Sequence, residues 1–140
     1  MAVGADLVES LSRLSLFADL SRPQLQAIAH EYGDEMFADG QRVLRRGLSG
    51  SALYIVLEGE AVVTRGESEL NRVGPGEVIG EISALLGEPP TADVAAAGLL
   101  RCLVIPAPEV ETFLRERPEV MLRMLKAEAR RLQGMVEGLP

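Results

Sequence analysis

Apolar residues recur along this chain with different rhythms in different stretches. Leu7, Val8, Leu11 and Leu14 lie at three- and four-residue spacing, which predicts an amphipathic helix over residues 5 to 14. Ser15-Leu16-Phe17 interrupts it. Ser21 then offers an N-cap with Pro23 in the first turn, and Leu25, Ile28 and Ala29 form the buried stripe of a second helix that ends near His30. From Glu35 the rhythm shortens to Met36-Phe37, Val43-Leu44, Leu53 to Leu57, Ala61 to Thr64, Leu70 to Val73, Val78-Ile79, Ala92 to Ala96 and Leu100 to Ile105. These segments are separated by Asp39-Gly40, Gly47 to Gly50, Glu58-Gly59, Gly66 and Gly74 to Gly76. Short strands at such close spacing predict a sandwich or a jelly-roll barrel over about residues 35 to 105. After Pro106 and Pro108 the helical spacing returns with Val110, Phe113 and Leu114, and Pro118 restarts it. Val120, Met121, Met124, Leu125, Leu132, Met135 and Val136 then mark a stripe expected to lie in the core, so that two C-terminal helices span about 107 to 137.

Length and composition narrow this picture. At 140 residues the chain is sized for one domain, residues 1 to 140, with one core. A hydrophobic share of 47% with 25% charged residues is that of a soluble protein, and no apolar run approaches the ~20 residues of a membrane helix. With no export signal at the N-terminus and a single cysteine, Cys102, a cytoplasmic location is expected. The balance of 14 basic against 21 acidic residues gives a net charge of −7, which argues against nucleic acid and anionic membrane as partners. An anionic ligand would need a locally positive site. His30 alone cannot assemble a metal centre, and Cys102, inside the apolar run Leu99 to Ile105, has no nominated base; neither a catalytic residue nor a metal or cofactor site is expected.

The most informative stretch is Gly74 to Val94, GPGEVIGEISALLGEPPTADV. A glycine-rich turn leads to Val78-Ile79, Gly80 permits a bend or a close approach, and Glu81 opens a helix of one or two turns that Gly87 stops. Free amide groups at such a helix start can hold an anion. Pro89 and Pro90 impose an extended exit, with Thr91 and Ala92 beginning the next strand.

The run Ile79-Gly80-Glu81-Ile82-Ser83-Ala84, then Pro89, then Thr91-Ala92, resembles the phosphate-binding cassette of the cyclic nucleotide-binding domain family, the type of catabolite activator protein and of protein kinase A regulatory subunits. Gly47, Tyr54-Ile55-Val56, Gly59, Gly74 and Gly76 extend the likeness over roughly residues 12 to 132. The resemblance implies an eight-stranded antiparallel jelly-roll barrel with N-terminal helices and a C-terminal helical pair. It implies a ligand site at Gly80, Glu81, Ile82, Ser83, Thr91 and Ala92, with Gly80 and Glu81 at the ribose 2′-hydroxyl and the helix amides at the cyclic phosphate of cAMP or cGMP. In the family an arginine between the proline and the Thr/Ala pair neutralises that phosphate. Here Pro90 stands there.

The expected function is that of a stand-alone regulatory module, not an enzyme, which binds a cyclic mononucleotide weakly or atypically and signals through its C-terminal helices. The chain stops where DNA-binding relatives append a further domain, so signalling is expected through a homodimer formed by the last helix or through another protein. Glu128 interrupts the heptad of Met121, Leu125 and Leu132, which weakens a coiled-coil version of that dimer. Two alternatives stay open beside it: a ligand-free β-roll acting as a protein-interaction or structural module, and an enzyme on a cupin-like barrel, which the lack of metal ligands opposes. At residue level, Glu81 is either the ribose carboxylate or an exposed acid at a helix start. Ser83 and Thr91 either reach a ligand or satisfy local backbone.

Overall fold

The computed structural model describes residues 3–48 and 52–139, with backbone only at the first three of these. The chain begins with α1 (Val3–Ser12), a 3-10 turn (Ser15–Phe17) and α2 (Arg22–Glu31). Leu7, Val8, Leu11, Leu14, Leu25 and Ile28 are all buried, as their spacing predicts. Ser21 starts α2 through a reciprocal cap: its hydroxyl accepts from the Gln24 amide at 3.3 Å, and its own amide donates to Gln24 Oε1 at 2.7 Å.

Six strands follow, β1 (Gly33–Phe37), β2 (Arg42–Leu44), β3 (Ala52–Arg65), β4 (Ser68–Val73), β5 (Val78–Ile79) and β6 (Asp93–Pro106). All pairings are antiparallel, in the order β1-β6-β3-β4, with β2 on β6 and β5 on β3. Six strands stand where eight are expected because two pairs are continuous. Leu53 to Leu57 and Ala61 to Thr64 join as β3, and Ala92 to Ala96 and Leu100 to Ile105 join as β6, apart from Ala92 itself. The glycines bend these strands without ending them. Register shifts lie between Val56 and Glu58 and between Glu58 and Glu60, after which the β3–β6 ladder resumes as far as Thr64↔Asp93. At Gly59, with φ +88°, a Cβ would lie 2.2 Å from the Leu99 carbonyl oxygen, so only glycine allows the two bent strands to approach there. The turn expected at Gly47 to Gly50 lies partly outside the described residues.

Alternation along the two long strands explains their unbroken apolar runs. Leu53, Ile55 and Leu57 of β3 and Leu103 and Ile105 of β6 pack with the helices, whereas Tyr54, Val56, Leu100 and Cys102 face the second core with Phe37, Leu44, Val73 and Ile79. Each fully buried large side chain contributes about 1.5–3 kcal/mol by leaving water. Cys102 behaves as a small core hydrophobe, and burial pushes its thiol up to about 12.

After β5 comes the short α3 (Glu81–Leu86), and after β6 come α4 (Ala107–Glu116) and α5 (Pro118–Glu137). Val110, Phe113 and Leu114 of α4 are buried. The expected core stripe of α5 is corrected: only Val120 and Met124 are buried, while Met121, Leu122, Leu125, Leu132, Met135 and Val136 are exposed. The first two turns of α5 pack on the core; the rest of its apolar face is left uncovered by the described residues. Among the described residues no helix is long and apolar enough to cross a membrane.

Candidate functional site

The cassette stretch is built from the strand pair below it. β5 pairs with β3 through Tyr54↔Ile79 and Ile55↔Val78, and the Val56 amide donates to the Glu77 carbonyl at 2.9 Å. Gly80 then turns the chain into α3 with φ +84°, and a Cβ there would meet the Ala52 carbonyl oxygen at 2.9 Å. The sequence needs glycine at this point on two counts, conformation and space. Gly87 closes the helix with φ 72°, its amide donating to the Ser83 carbonyl at 2.9 Å. No side chain caps the start of α3.

Of the six predicted site residues, Gly80 to Ser83 form one contiguous turn. Ile82 is exposed. Ser83 is buried, and its hydroxyl donates to the Glu88 carbonyl at 2.6 Å, so it serves the local backbone in this conformation. Thr91 and Ala92 lie in the bend before β6 and do not open it, because the strand begins at Asp93. Among the described residues no hydrogen bond joins Thr91 or Ala92 to α3. Pro90 is buried, and its carbonyl accepts from the Gly47 amide at 2.9 Å.

Glu81 is the unusual group. Its side chain is 13% exposed, so the exposed helix-start carboxylate is ruled out. Its Oε2 is buried with no hydrogen-bond partner among the described residues. The nearest cation is Arg131 of α5, whose Nη1 stands 3.8 Å away, beyond hydrogen-bond reach. Arg131 is shared, with Glu77 Oε2 at 3.3 Å and Glu128 Oε1 at 3.9 Å. Burial first, and then the neighbouring Glu128 carboxylate, push Glu81 up to about 7 against the pull of Arg131. Glu77 is fixed by its own turn, its Oε1 accepting from the Gly74 amide at 2.9 Å.

Glu77, Glu128 and Arg131 were not among the predicted site residues. Arg131 meets Glu77 across 54 residues of sequence, and only folding brings α5 to the cassette. One signal was present: Glu128 sits at the heptad position where an apolar residue is wanted, and the structure places it against Glu81. Glu77, Glu128 and Arg131, with Leu16, Gly76 and Met124, line a cleft of about 340 Å³ under α5.

The family model for the cyclic nucleotide-binding domain matches residues 34–117. The chain belongs to that family. A cGMP-dependent protein kinase of Toxoplasma gondii is 29% identical over 119 residues, covering 85% of this chain, and the chain spans 12% of that protein's length. Among solved structures, the regulatory domain of Toxoplasma gondii PKA with cAMP superposes with a TM-score of 0.73 at 23% identity, covering 90% of this chain and 50% of that one. The N-terminal domain of a transcriptional regulator from Streptomyces coelicolor A3(2) is 31% identical with a TM-score of 0.63, covering 93% and 94% of the two chains. The mainly antiparallel sheet with flanking helices is therefore the fold of a cyclic nucleotide-binding regulatory domain.

Proposed function

We propose that residues 1–140 act as one regulatory domain that binds a cyclic mononucleotide, cAMP or cGMP, and that α5 is its responding element. The observation that carries this reading is Glu81, a buried carboxylate with an unpartnered oxygen held beneath α5 on the family's cassette. A buried acceptor without a donor costs about 1–3 kcal/mol, and a ribose 2′-hydroxyl is a donor of the right kind. In this reading Gly80 sets the turn that presents Glu81 to that ribose, the backbone of Ile82 and Ser83 faces the phosphate, and Thr91 and Ala92 flank it. The domain signals and does not catalyse.

Ligand and α5 then compete for Glu81. A nucleotide that takes the carboxylate draws it from Glu128 and Arg131 and shifts the population of α5 positions, which is how binding becomes a signal. The exposed apolar face of α5, Leu125, Leu132, Met135 and Val136, fits a homodimer or another protein partner. Sedimentation is expected to show a concentration-dependent dimer, and a strict monomer at high concentration removes that part.

Position 90 itself contributes no cation, and a phosphate left without one loses about 1.5–3 kcal/mol, or about 10- to 150-fold in affinity. Calorimetric titration with cAMP, cGMP and cyclic dinucleotides tests the reading. Saturable binding of a mononucleotide is the expected result. No binding at any accessible concentration favours the second reading, an interaction module with an unused cassette, for which the buried Pro90 and the α5 contact on Glu81 speak.

A further inference from the structure

The nucleotide's phosphate still needs a cation, and the arginines near the sheet and α5 differ in what already holds them. Arg72 lies between Glu60 at 2.7 Å and Glu69 at 3.2 Å. Arg123 is paired with Asp19 at 2.7 Å, and Arg131 is shared by Glu77, Glu81 and Glu128. Arg101 is buried among Asp6, Asp34 and Glu58. Arg45, Arg46, Arg65 and Arg130 are exposed and form no ion pair among the described residues; Arg65 ends β3 and Arg130 lies on α5, whereas the turn of Arg45 and Arg46 touches Pro90 through Gly47.

The backbone around these two residues ties both ends of the cassette together. Leu44, the last residue of β2, has its methyl groups 3.5 and 3.8 Å from where a Cβ of Gly80 would stand, so it packs on the turn that opens α3. Three residues on, the Gly47 amide donates to the Pro90 carbonyl at 2.9 Å. Between these anchors, the Leu48 amide donates to the Arg45 carbonyl at 3.2 Å to close a tight turn, and the Arg46 amide donates to Asp93 Oδ1 at 2.8 Å. Arg45 and Arg46 therefore sit in the short span between Gly80 and Pro90, the two ends of the site. Asp93, the carboxylate of this corner, is offset by Arg42, whose Nη1 lies 3.7 Å from it.

We propose that the Arg45-Arg46 turn, held against Pro90 through the Gly47 amide, supplies the cation for the phosphate of a bound cyclic nucleotide. This rests on the reading that the cassette takes such a ligand. Two exposed guanidinium groups on long side chains beside Pro90 can stand in for an arginine at that position, and their charge acts against the protein's net −7. Charge-assisted bonds to phosphate are the strong ones, so their removal is a large and specific loss.

The test is titration of cAMP, cGMP and uncharged adenosine into wild type, Arg45→Gln, Arg46→Gln and the double variant. Both side chains are exposed, so melting temperatures are expected to stay unchanged. The expected result is a loss of about 10- to 100-fold in nucleotide affinity in the double variant, a flatter salt dependence, and no change for adenosine. Wild-type nucleotide affinity in the double variant overturns this inference and leaves the function standing. Equal losses for adenosine and nucleotide overturn it too, since the turn then shapes the pocket and does not hold charge. A wild type that binds no cyclic nucleotide overturns both.

Discussion

Arg101 and Glu81 are both largely buried charged side chains, and their surroundings differ in kind. Arg101, in the middle of β6, is fully engaged: Nε donates to Asp34 at 2.6 Å, Nη1 to Ser10 at 2.9 Å, and Asp6 and Glu58 stand at 3.0 and 3.4 Å. It joins α1, β1 and β3 to β6, and each of its three nitrogens has a partner. Glu81, on α3, is buried with an unpartnered Oε2, one shared arginine at 3.8 Å and a like charge beside it. A buried charge that is saturated stabilises one arrangement, while one left half-satisfied is ready to exchange partners. The contrast separates a charge that holds the fold together from the one that, in the proposed function, exchanges partners.

The largest effect is expected at Arg101. Arg101→Met leaves the half-buried Asp34 without its partner and α1 without its tie, so unfolding free energy should fall by about 2–4 kcal/mol. Chemical denaturation reads this directly, and a wild-type midpoint would show that α1 is held by its apolar face alone.

Glu81 should behave in the opposite sense. Burial and the neighbouring Glu128 push its carboxyl up from 4.5 to about 7 on folding, so between these values the folded state binds more protons. The stability contributed by the protonated form is complete below pH 4.5 and lost as pH rises through about 7. Glu81→Gln mimics the protonated acid. It should exceed wild type by on the order of 2 kcal/mol at pH 8, and the gap should close toward pH 4.5. A variant less stable than wild type at pH 8 would place Glu81 with Arg101, as a structural group. The smallest effect belongs to Arg131→Ala, which removes a half-exposed cation and should cost less than about 1 kcal/mol. A loss of several kcal/mol there would mean that α5 is locked on the cassette and cannot respond.

Much of the fold was legible because local rules and packing agreed. The stripes Leu7-Val8-Leu11 and Val110-Phe113-Leu114, the cap at Ser21 and the stop at Gly87 each carry their signal within a few residues. Strand number was not legible, since Gly59 looks the same in sequence whether it ends a strand or only bends it; the neighbouring strand at Leu99 decides. The exposure of Met121, Leu125 and Met135 was hidden for a related reason. Helical spacing shows that a face is apolar, and only the fold shows what covers it. At the site, Gly80 and Glu81 could be named from their pattern, but the neighbours of Glu81, Glu128 and Arg131, come from α5, which only folding brings to the cassette. Ser83, open to two fates in the sequence, bonds the Glu88 carbonyl.

The central claim is that Glu81 receives the ribose of a cyclic nucleotide, and a cycle of four affinities tests it most directly: cAMP and 2′-deoxy-cAMP, each with wild type and with Glu81→Gln, at pH 8 where the carboxylate is ionised. The account predicts that wild type binds the ribose form about 10- to 100-fold more tightly, as expected for a hydrogen bond to a charged group, and that the ratio falls to within about fivefold in Glu81→Gln. Equal affinities for the two nucleotides in wild type, or an unchanged ratio in the variant, would contradict it.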